Sequence, residues 1–194
     1  MNNIFRTFLL LLYLTLLSCG AEQKTVNKIK EINQEQEMIT SYKEGLEGIT
    51  KRDYFVASKK FLEAELLYPQ SRWAAKSALM ASYSFYLQDF YSEALNNLER
   101  YVITYPKDEN MAYARFLIAI CYYETIVDEK RDTDAIIKAK EEFEFILKNY
   151  PTTDFAIDSK YKLDLLLDIL AAKEMYIGRH YIKKSKWIAA INRF

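Results

Sequence analysis

The residue types that most often carry out catalysis are scarce in this chain of 194 residues. It has one histidine, His180, so neither a histidine-based catalytic triad nor a site with several histidine ligands can be built. The carboxylates Glu141, Glu142 and Glu144 stand among lysines in an amphipathic helical pattern, which is typical of a solvated face. Glycine-rich phosphate loops and the G-x-S-x-G motif are absent. We therefore predict that the chain is not an enzyme.

The two cysteines call for different chemistry. Cys121 lies in the apolar helical run ARFLIAICYYE, a context that favours a buried packing role over a reactive thiol. Cys19 ends the segment Leu16-Leu17-Ser18-Cys19, which resembles the bacterial lipobox, where the cysteine thiol is diacylated, the signal is cut before it and the new amino terminus is acylated. If Cys19 carries lipid, Cys121 has no partner for an intramolecular disulfide.

The segment before Cys19 has the pattern of an export signal. Arg6 precedes an apolar run from Thr7 to Leu17, which is shorter than the roughly 20 residues that a helix needs to span a bilayer. We predict a signal peptide over residues 1–18, and several acyl chains on Cys19 would anchor the mature chain firmly. An ordinary signal peptide with an incidental cysteine is the alternative. In bacterial lipoproteins Asp after the cysteine favours the inner membrane, so Gly20 favours the outer membrane, facing the periplasm.

Composition predicts an all-α fold after this leader. The chain is 51% hydrophobic but has only four glycines and three prolines, too few for the many turns of a β fold. Basic and acidic residues balance at 27 each, which argues against binding to nucleic acid. We predict that residues 19–38, from the lipidated cysteine onward, form a polar tether, a coil that would reach roughly 25 Å, and that a helical domain occupies residues 39–194.

The three prolines mark an internal repeat. Each follows a tyrosine, and an alanine and a large apolar residue precede each proline by twelve and eight positions. Another small residue lies twelve positions before each alanine in the first two copies. In the third copy the distance is eight residues longer, and we predict that the extra residues form a loop at residues 125–134. The pattern resembles the tetratricopeptide repeat, a helix-turn-helix unit. The aligned sets are Gly45, Ala57, Phe61 and Pro69; Ser82, Ala94, Leu98 and Pro106; and Ala119, Ala139, Phe143 and Pro151.

A fourth copy begins near the end of the sequence, where Gly178, Trp187, Ala190 and Phe194 stand at the expected offsets. We expect an α-solenoid of about three and a half repeats, at about 38–71, 75–108, 112–153 and 154–194, the last incomplete. The missing final proline predicts that the sequence is a fragment of a longer protein.

The stretch between the third proline and the fourth repeat predicts one long helix from about Asp154 to Lys184. We expect its apolar run YKLDLLLDILAA to be buried against both neighbouring repeats. At the turns, a residue before proline is excluded from the α region, so each Tyr-Pro pair should end a helix. Ser71, Asp108 and Thr153 are the expected side-chain caps of the helices that follow.

A solenoid of this kind binds ligands on the concave face formed by the first helix of each pair. Residues at steps of three and four pick out that face, and it is rich in tyrosine, which offers apolar area with a polar handle. Packing against the adjacent repeat is the alternative role for any one of these tyrosines. The predicted peptide-binding residues are Tyr42, Lys76, Tyr83, Tyr86, Tyr113 and Tyr123.

Several segments together resemble the BamD lipoprotein family, a component of the outer-membrane β-barrel assembly machinery. They are the lipobox Cys19, residues 81–106 with Tyr83, Tyr86 and Arg100, the Arg131-Asp132 step, and residues 171–194. The resemblance implies a periplasmic lipoprotein that binds the central barrel-assembly protein, other lipoproteins of the machinery and the C-terminal signals of unfolded barrel proteins. The fifth repeat of the family and most of the fourth are missing here.

Two other classes remain open from the sequence. A periplasmic tetratricopeptide scaffold of the Tol-Pal or cell-division type has similar repeats that end in Tyr-Pro, but it typically has an N-terminal coiled coil and no lipobox. A peptidoglycan-active enzyme with a helical-repeat appendage would need a catalytic domain after Phe194.

Overall fold

The computed structural model describes residues 22–126 and 133–194, with side chains from residues 34 and 134 onward in the two ranges. Every regular element in those ranges is a helix, and consecutive helices pack against each other along the chain. The all-α, repeat-solenoid prediction is confirmed. The helices are α1 (Glu22–Thr50), α2 (Tyr54–Leu67), α3 (Arg72–Tyr86), α4 (Tyr91–Thr104), α5 (Met111–Glu124), α6 (Thr133–Asn149), α7 (Asp154–Lys183) and α8 (Trp187–Ile191).

Steric fit between small and large residues holds each helix pair together. A Cβ added to Gly45 on α1 would lie 2.7 Å from the ring of Phe61 on α2, so the two helices approach at a distance that only glycine permits. Gly178 on α7 meets Phe194 in the same way, at 2.5 Å and the same sequence offset. The repeat alignment therefore identified pairs of residues that contact each other. The alanine and the large residue of the first three repeats are fully buried: Ala57, Phe61, Ala94, Leu98, Ala139 and Phe143.

The Tyr-Pro pairs end helices as predicted. Tyr68 follows α2 with φ −144° and ψ 72°, and Tyr105 follows α4 with φ −122° and ψ 52°, both outside the helical region. Pro69 and Pro106 come directly after them, so the restriction that proline places on its preceding residue explains where these helices stop.

The predicted side-chain caps are wrong in detail. Ser71 and Thr153 do precede α3 and α7 with extended backbones, but neither side chain makes a capping hydrogen bond. Asp108 is not the cap of α5; that position belongs to Asn110, and Asp108 accepts a hydrogen bond from the Asn110 backbone N–H at 2.8 Å. A side-chain cap is instead made by Asp53 at the start of α2. The turns are closed mainly by backbone hydrogen bonds, which leaves the side chains of Ser71 and Thr153 unused for capping.

The tether was predicted as a coil over residues 19–38, but α1 begins at Glu22. This stretch has neither proline nor glycine after residue 20 and is rich in Glu, Lys and Gln, which are strong helix formers. Met38 is fully buried, and its packing in the first repeat gives the helix a nucleus from which it extends toward the N-terminus. Cys19 and the signal segment 1–18 lie outside the described residues.

The long helix is confirmed as α7, but its apolar run is buried on one side only. Leu166 is fully buried in the core of the third repeat, whereas Tyr161 and Leu165 are 68% and 50% exposed. At about 1.5 Å per residue, α7 is about 45 Å long and extends well past α5 and α6. The helix α8 packs on the far part of α7, so the run is not enclosed between two repeats.

The core confirms the packing role of Cys121. Its side chain is fully buried in the cluster that joins the second and third repeats. Burial, with a smaller contribution from the nearby charge of Glu124, raises the pKa of the Cys121 thiol to about 12. The thiol is therefore protonated at neutral pH and shielded from reagents. Most of the predicted insertion loop at 125–134 lies outside the described residues.

Candidate functional site

The six predicted peptide-binding residues lie on α1, α3 and α5, the first helix of each repeat, as the spacing required. The structure divides them among three neighbourhoods rather than one continuous row. The first holds Tyr42 and Lys76, the second holds Tyr83, Tyr86 and Tyr113, and the third holds Tyr123.

In the first neighbourhood, Tyr42 supports other residues instead of facing solvent. It is only 6% exposed, burial raises its pKa, and its ring packs edge-on against Phe61 and Trp73 at centroid distances of 5.3 and 5.1 Å. The Lys76 ammonium lies 5.2 Å from the centroid of Trp73 and 5.8 Å from that of Tyr42. Tyr42 was predicted to contact a ligand, and in the structure Trp73 and Lys76 lie between most of its ring and the solvent.

Sequence reasoning missed Trp73, although the repeat alignment contains the signal. Trp73 follows Pro69 by four residues, and Phe155 follows Pro151 by four residues. Each aromatic ring packs on the first helix of the preceding repeat, Trp73 on Tyr42 and Phe155 on Phe116, at 5.1 and 5.4 Å. An aromatic residue at this place in a repeat thus marks a contact between repeats.

The second neighbourhood brings together three predicted residues. The rings of Tyr83 and Tyr86 stack with centroids 6.3 Å apart, and Tyr91 lies 6.0 Å beyond Tyr86. Burial raises the pKa of Tyr113, and the hydroxyls of Tyr83 and Tyr86 are close enough to raise it further. All of these side chains are half-buried against the same core cluster. Tyr83, Tyr86, Tyr91 and Tyr113 thus form a ledge of aromatic rings.

The third neighbourhood is already occupied by α7. The ammonium of Lys162 lies 4.2 Å from the centroid of Tyr123, a favourable cation–π contact. Near the start of α7, Phe155 packs on Tyr113 and Phe116 at 5.5 and 5.4 Å. The first half of α7 therefore covers the face of the third repeat, whereas the rings of Tyr83 and Tyr86 stay half-exposed.

A groove of about 800 Å³ runs between the two loops that end the first and second repeats. One wall is the start of α3 with Arg72, Trp73 and Lys76, and the other is the Tyr105-Pro106 turn. The basic side chains could pair with an anion, and Trp73 offers an apolar surface beside them. The lining residues are Gln70, Ser71, Arg72, Trp73, Ala75, Lys76, Thr104, Tyr105, Pro106, Lys107, Asp108, Glu109 and Asn110.

A buried carboxylate connects the helices beneath this groove. Glu65 on α2 is 6% exposed and accepts two hydrogen bonds from Arg100 on α4, at 2.6 and 2.7 Å. The Tyr105 hydroxyl donates a third, at 2.8 Å. Arg100 also donates to Asn97 at 2.6 Å. Burial together with the bond to Glu65 raises the pKa of Tyr105 to about 12. The charge of Glu65 is thus paired and hydrogen-bonded, as a buried charge must be.

The second wall of the groove is fixed by Asp108. Its Oδ1 accepts hydrogen bonds from the Tyr101 hydroxyl at 2.6 Å and from the backbone and side-chain N–H groups of Asn110 at 2.8 and 3.0 Å. Burial acts to raise the pKa of Asp108, but these hydrogen bonds outweigh it and the pKa is lowered. Asp108 is therefore ionised at neutral pH, and it stabilises the loop that follows Pro106.

The other polar residues that the sequence singled out have structural surroundings. Glu142 pairs with Arg115 at 2.9 Å, and Glu144 pairs with Lys140 at 2.7 Å. His180 is exposed, with its ring edge-on to the neighbouring Tyr181. Among the described residues, no group of three or more histidine, cysteine or acidic side chains is arranged to hold a metal ion. In those same ranges, no helix is both long enough and apolar enough to cross a membrane.

Paired helices with small and large residues in register define a helical-repeat solenoid of the tetratricopeptide type, a class that works by binding through its grooves. Within that class, the chain belongs to the YfiO outer membrane lipoprotein family, whose sequence profile matches residues 34–194. The resemblance noted from the sequence is confirmed.

Relatives in three bacteria carry the name outer membrane protein assembly factor BamD. The protein of Caulobacter vibrioides is 36% identical over 84% of this chain and 53% of its own length. The protein of Rickettsia prowazekii is 38% identical over 80% of this chain and 62% of its own length. A Neisseria meningitidis protein is 30% identical over 91% of this chain and 70% of its own length. The chain thus spans roughly half to two thirds of the length of these relatives.

Proposed function

We propose that this chain is a non-catalytic subunit of the outer-membrane β-barrel assembly machinery. It binds the C-terminal signals of unfolded barrel proteins and serves as a scaffold for the central assembly protein and the other lipoproteins of the machinery. A lipid on Cys19 holds it at the outer membrane, facing the periplasm. Membership of the lipoprotein family and the names of the relatives support this role. They also favour it over a Tol-Pal or cell-division scaffold.

The observation that carries the proposal is the open surface over the first two repeats. It combines the Trp73–Lys76 pair, the groove beside that pair, and the stacked rings of Tyr83 and Tyr86. A barrel strand that has not yet folded carries apolar and aromatic residues at alternate positions, about 7 Å apart along an extended chain. The 6.3 Å spacing of Tyr83 and Tyr86 is close to that repeat.

In this arrangement, the terminal carboxylate of the peptide lies at the basic end of the surface. Arg72 and Lys76 supply positive charge there, and the face of Trp73 accepts the last aromatic side chain. The alternate side chains further back pack on Tyr83 and Tyr86. Main-chain groups on the other edge of the peptide stay free, so it can later pair with a barrel strand.

The test is crosslinking of a barrel-protein C-terminal peptide that carries a photoreactive group. Replacing Tyr83 and Tyr86 together by alanine should reduce the crosslinked yield severalfold while the circular-dichroism helix signal is kept, since both rings are half-exposed. Tyr161→Ala is the matched control, because Tyr161 is an exposed tyrosine on the part of α7 outside this surface. Equal yields from the double variant and the wild type would contradict the placement.

The scaffold role needs a separate experiment in the intact cell envelope. Photoreactive residues placed along α7 and α8 should capture the central assembly protein if this end of the solenoid contacts it. The exposed residue Ile188 is a suitable position. Failure to recover that protein from any position on the solenoid would count against the assignment to the machinery.

A further inference from the structure

Glu65, Arg100 and Tyr105 together connect the two walls of the groove. Glu65 is in the last turn of α2, just before the loop that leads into the first wall, and Tyr105 begins the loop that forms the second. The hydrogen bond of 2.8 Å between them spans forty residues of sequence. Arg100 holds the same carboxylate through two further bonds, so Glu65 cannot swing away from Tyr105.

The chain of bonds extends to the aromatic ledge. Arg100 donates to Asn97, and the Asn97 amide donates to the hydroxyl of Ser82 at 2.7 Å and to the carbonyl of Ala78 at 2.9 Å. Ser82 is fully buried and is the residue immediately before Tyr83. A continuous set of short hydrogen bonds therefore links the groove wall at one end to the helix that carries the stacked tyrosines.

The hydrogen-bonded set of Glu65, Arg100 and Tyr105, here called the brace, is found only where the first two repeats meet among the described helices. In the repeat alignment, Glu65 stands eight residues after Ala57, and the same position holds Val102 in the second repeat and Leu147 in the third. Tyr150, the equivalent of Tyr105, packs in the same cluster as Val102, which cannot accept a hydrogen bond. The repeat architecture therefore does not require a carboxylate here.

We propose that Glu65, Arg100 and Tyr105 are positioning residues that set the width of the groove between the first two repeats for an extended peptide with a free carboxyl terminus. The inference rests on the proposed function of that groove as the peptide site. Without the brace, the Tyr105-Pro106 loop is free to move relative to Trp73, and the bound peptide loses contact with one wall.

The test measures the affinity of a short synthetic peptide with alternate aromatic residues and a free carboxyl terminus. Tyr105→Phe removes only the hydroxyl and should weaken binding about three- to tenfold, the net effect of one ordinary protein hydrogen bond. Tyr122→Phe is the control, because it also deletes a hydrogen bond from a tyrosine to a glutamate, the more exposed bond of 3.1 Å from Tyr122 to Glu99, outside the groove. Its affinity should match that of the wild type.

A double-mutant cycle separates a positioning role from general destabilisation of the fold. Glu65→Val removes the acceptor and should weaken binding as well, and adding Tyr105→Phe should then cost little more, since the bond from the Tyr105 hydroxyl is already lost. Equal affinities of Tyr105→Phe and the wild type, or equal losses in Tyr105→Phe and Tyr122→Phe, would overturn the inference. So would losses of affinity that simply add in the double variant.

A readout without peptide distinguishes this inference from the proposed function. Trp73 and Trp187 are the two tryptophans of the chain, so the variant Trp187→Phe leaves Trp73 as the single fluorescent reporter in the groove wall. In that background, Tyr105→Phe should increase quenching of Trp73 by acrylamide, whereas Tyr122→Phe should not. If the wild type does not bind peptide, the proposed function fails while this quenching result still decides whether the brace sets the groove. Unchanged quenching in Tyr105→Phe would refute the brace itself.

Discussion

Gly45→Ala is the sharpest test of how the helix pairs are packed. The new methyl group would lie 2.7–2.9 Å from three ring atoms of Phe61, closer than carbon atoms approach without something shifting. Phe61 is completely buried, so its ring has no free space to move into. Forcing a methyl group into a packed core costs about 1–3 kcal/mol. The better helix propensity of alanine returns about 0.5–1 kcal/mol.

The difference of the two terms is a loss centred on about 1 kcal/mol in the free energy of unfolding, or about 2–4 °C in Tm for a domain of this size. Urea and thermal unfolding followed by circular dichroism would measure it. Gly178→Ala is the matched control, because its Cβ would meet Phe194 at a similar distance, but the ring of Phe194 is 62% exposed and can rotate away. That variant should be as stable as the wild type or slightly more stable.

A second substitution tests the same reasoning from the other side. In the second repeat, the equivalent of Gly45 is the larger Ser82 and the equivalent of Phe61 is the smaller Leu98. Replacing Phe61 by leucine in the Gly45→Ala variant should therefore recover about 1 kcal/mol relative to the sum of the two single changes. A Gly45→Ala protein as stable as the wild type, or a double variant with no recovery, would refute the steric argument.

Two further predictions concern ionisable groups. The lowered pKa of Asp108 contributes stability that is present above its unfolded pKa of about 3.9 and is lost as the pH falls below it. Acid titration of unfolding should therefore show a smaller loss of stability below about pH 4 in Asp108→Asn than in the wild type, and parallel curves would contradict this. The pKa of Cys121 is raised to about 12, and its thiol is buried. In a variant that lacks Cys19, a thiol reagent should therefore label the protein only after it unfolds. Rapid labelling of the native protein would show that the thiol is accessible.

The sequence predicted the features that repeat. The spacing of Gly45, Phe61 and Pro69 recurs with small changes; the glycine–phenylalanine contact is found in the first and fourth copies, and helices end at Tyr68 and Tyr105. These features can be predicted from the sequence because local steric effects and proline geometry act over short stretches of chain. The coil predicted for the tether, residues 19–38, was wrong from Glu22 onward. Polarity alone does not indicate disorder, because the Glu, Lys and Gln content favours a helix that continues from the buried Met38.

The candidate site was less predictable because it depends on where the repeats differ. The face of the third repeat has tyrosines at the expected spacing, but α7 covers it through Phe155 and Lys162, and nothing in the repeat pattern specifies that contact. Tyr42 has the spacing of a groove residue, yet the ring of Trp73 lies over it.

For the proposed peptide site, these differences between the repeats all point to the same place. An aromatic residue after Pro69 brings Trp73 to the edge of the groove, and a carboxylate in place of an aliphatic residue ties Glu65 to the opposite wall. Closure of the third repeat by Phe155 leaves this surface as the open part of the aromatic face over the described helices. A solenoid built of equal repeats would offer equal sites along its length, so we propose that the unequal residues confine an extended peptide to one register. Exchanging Glu65 for the valine found at position 102 should therefore weaken peptide binding while the helix pairs stay packed.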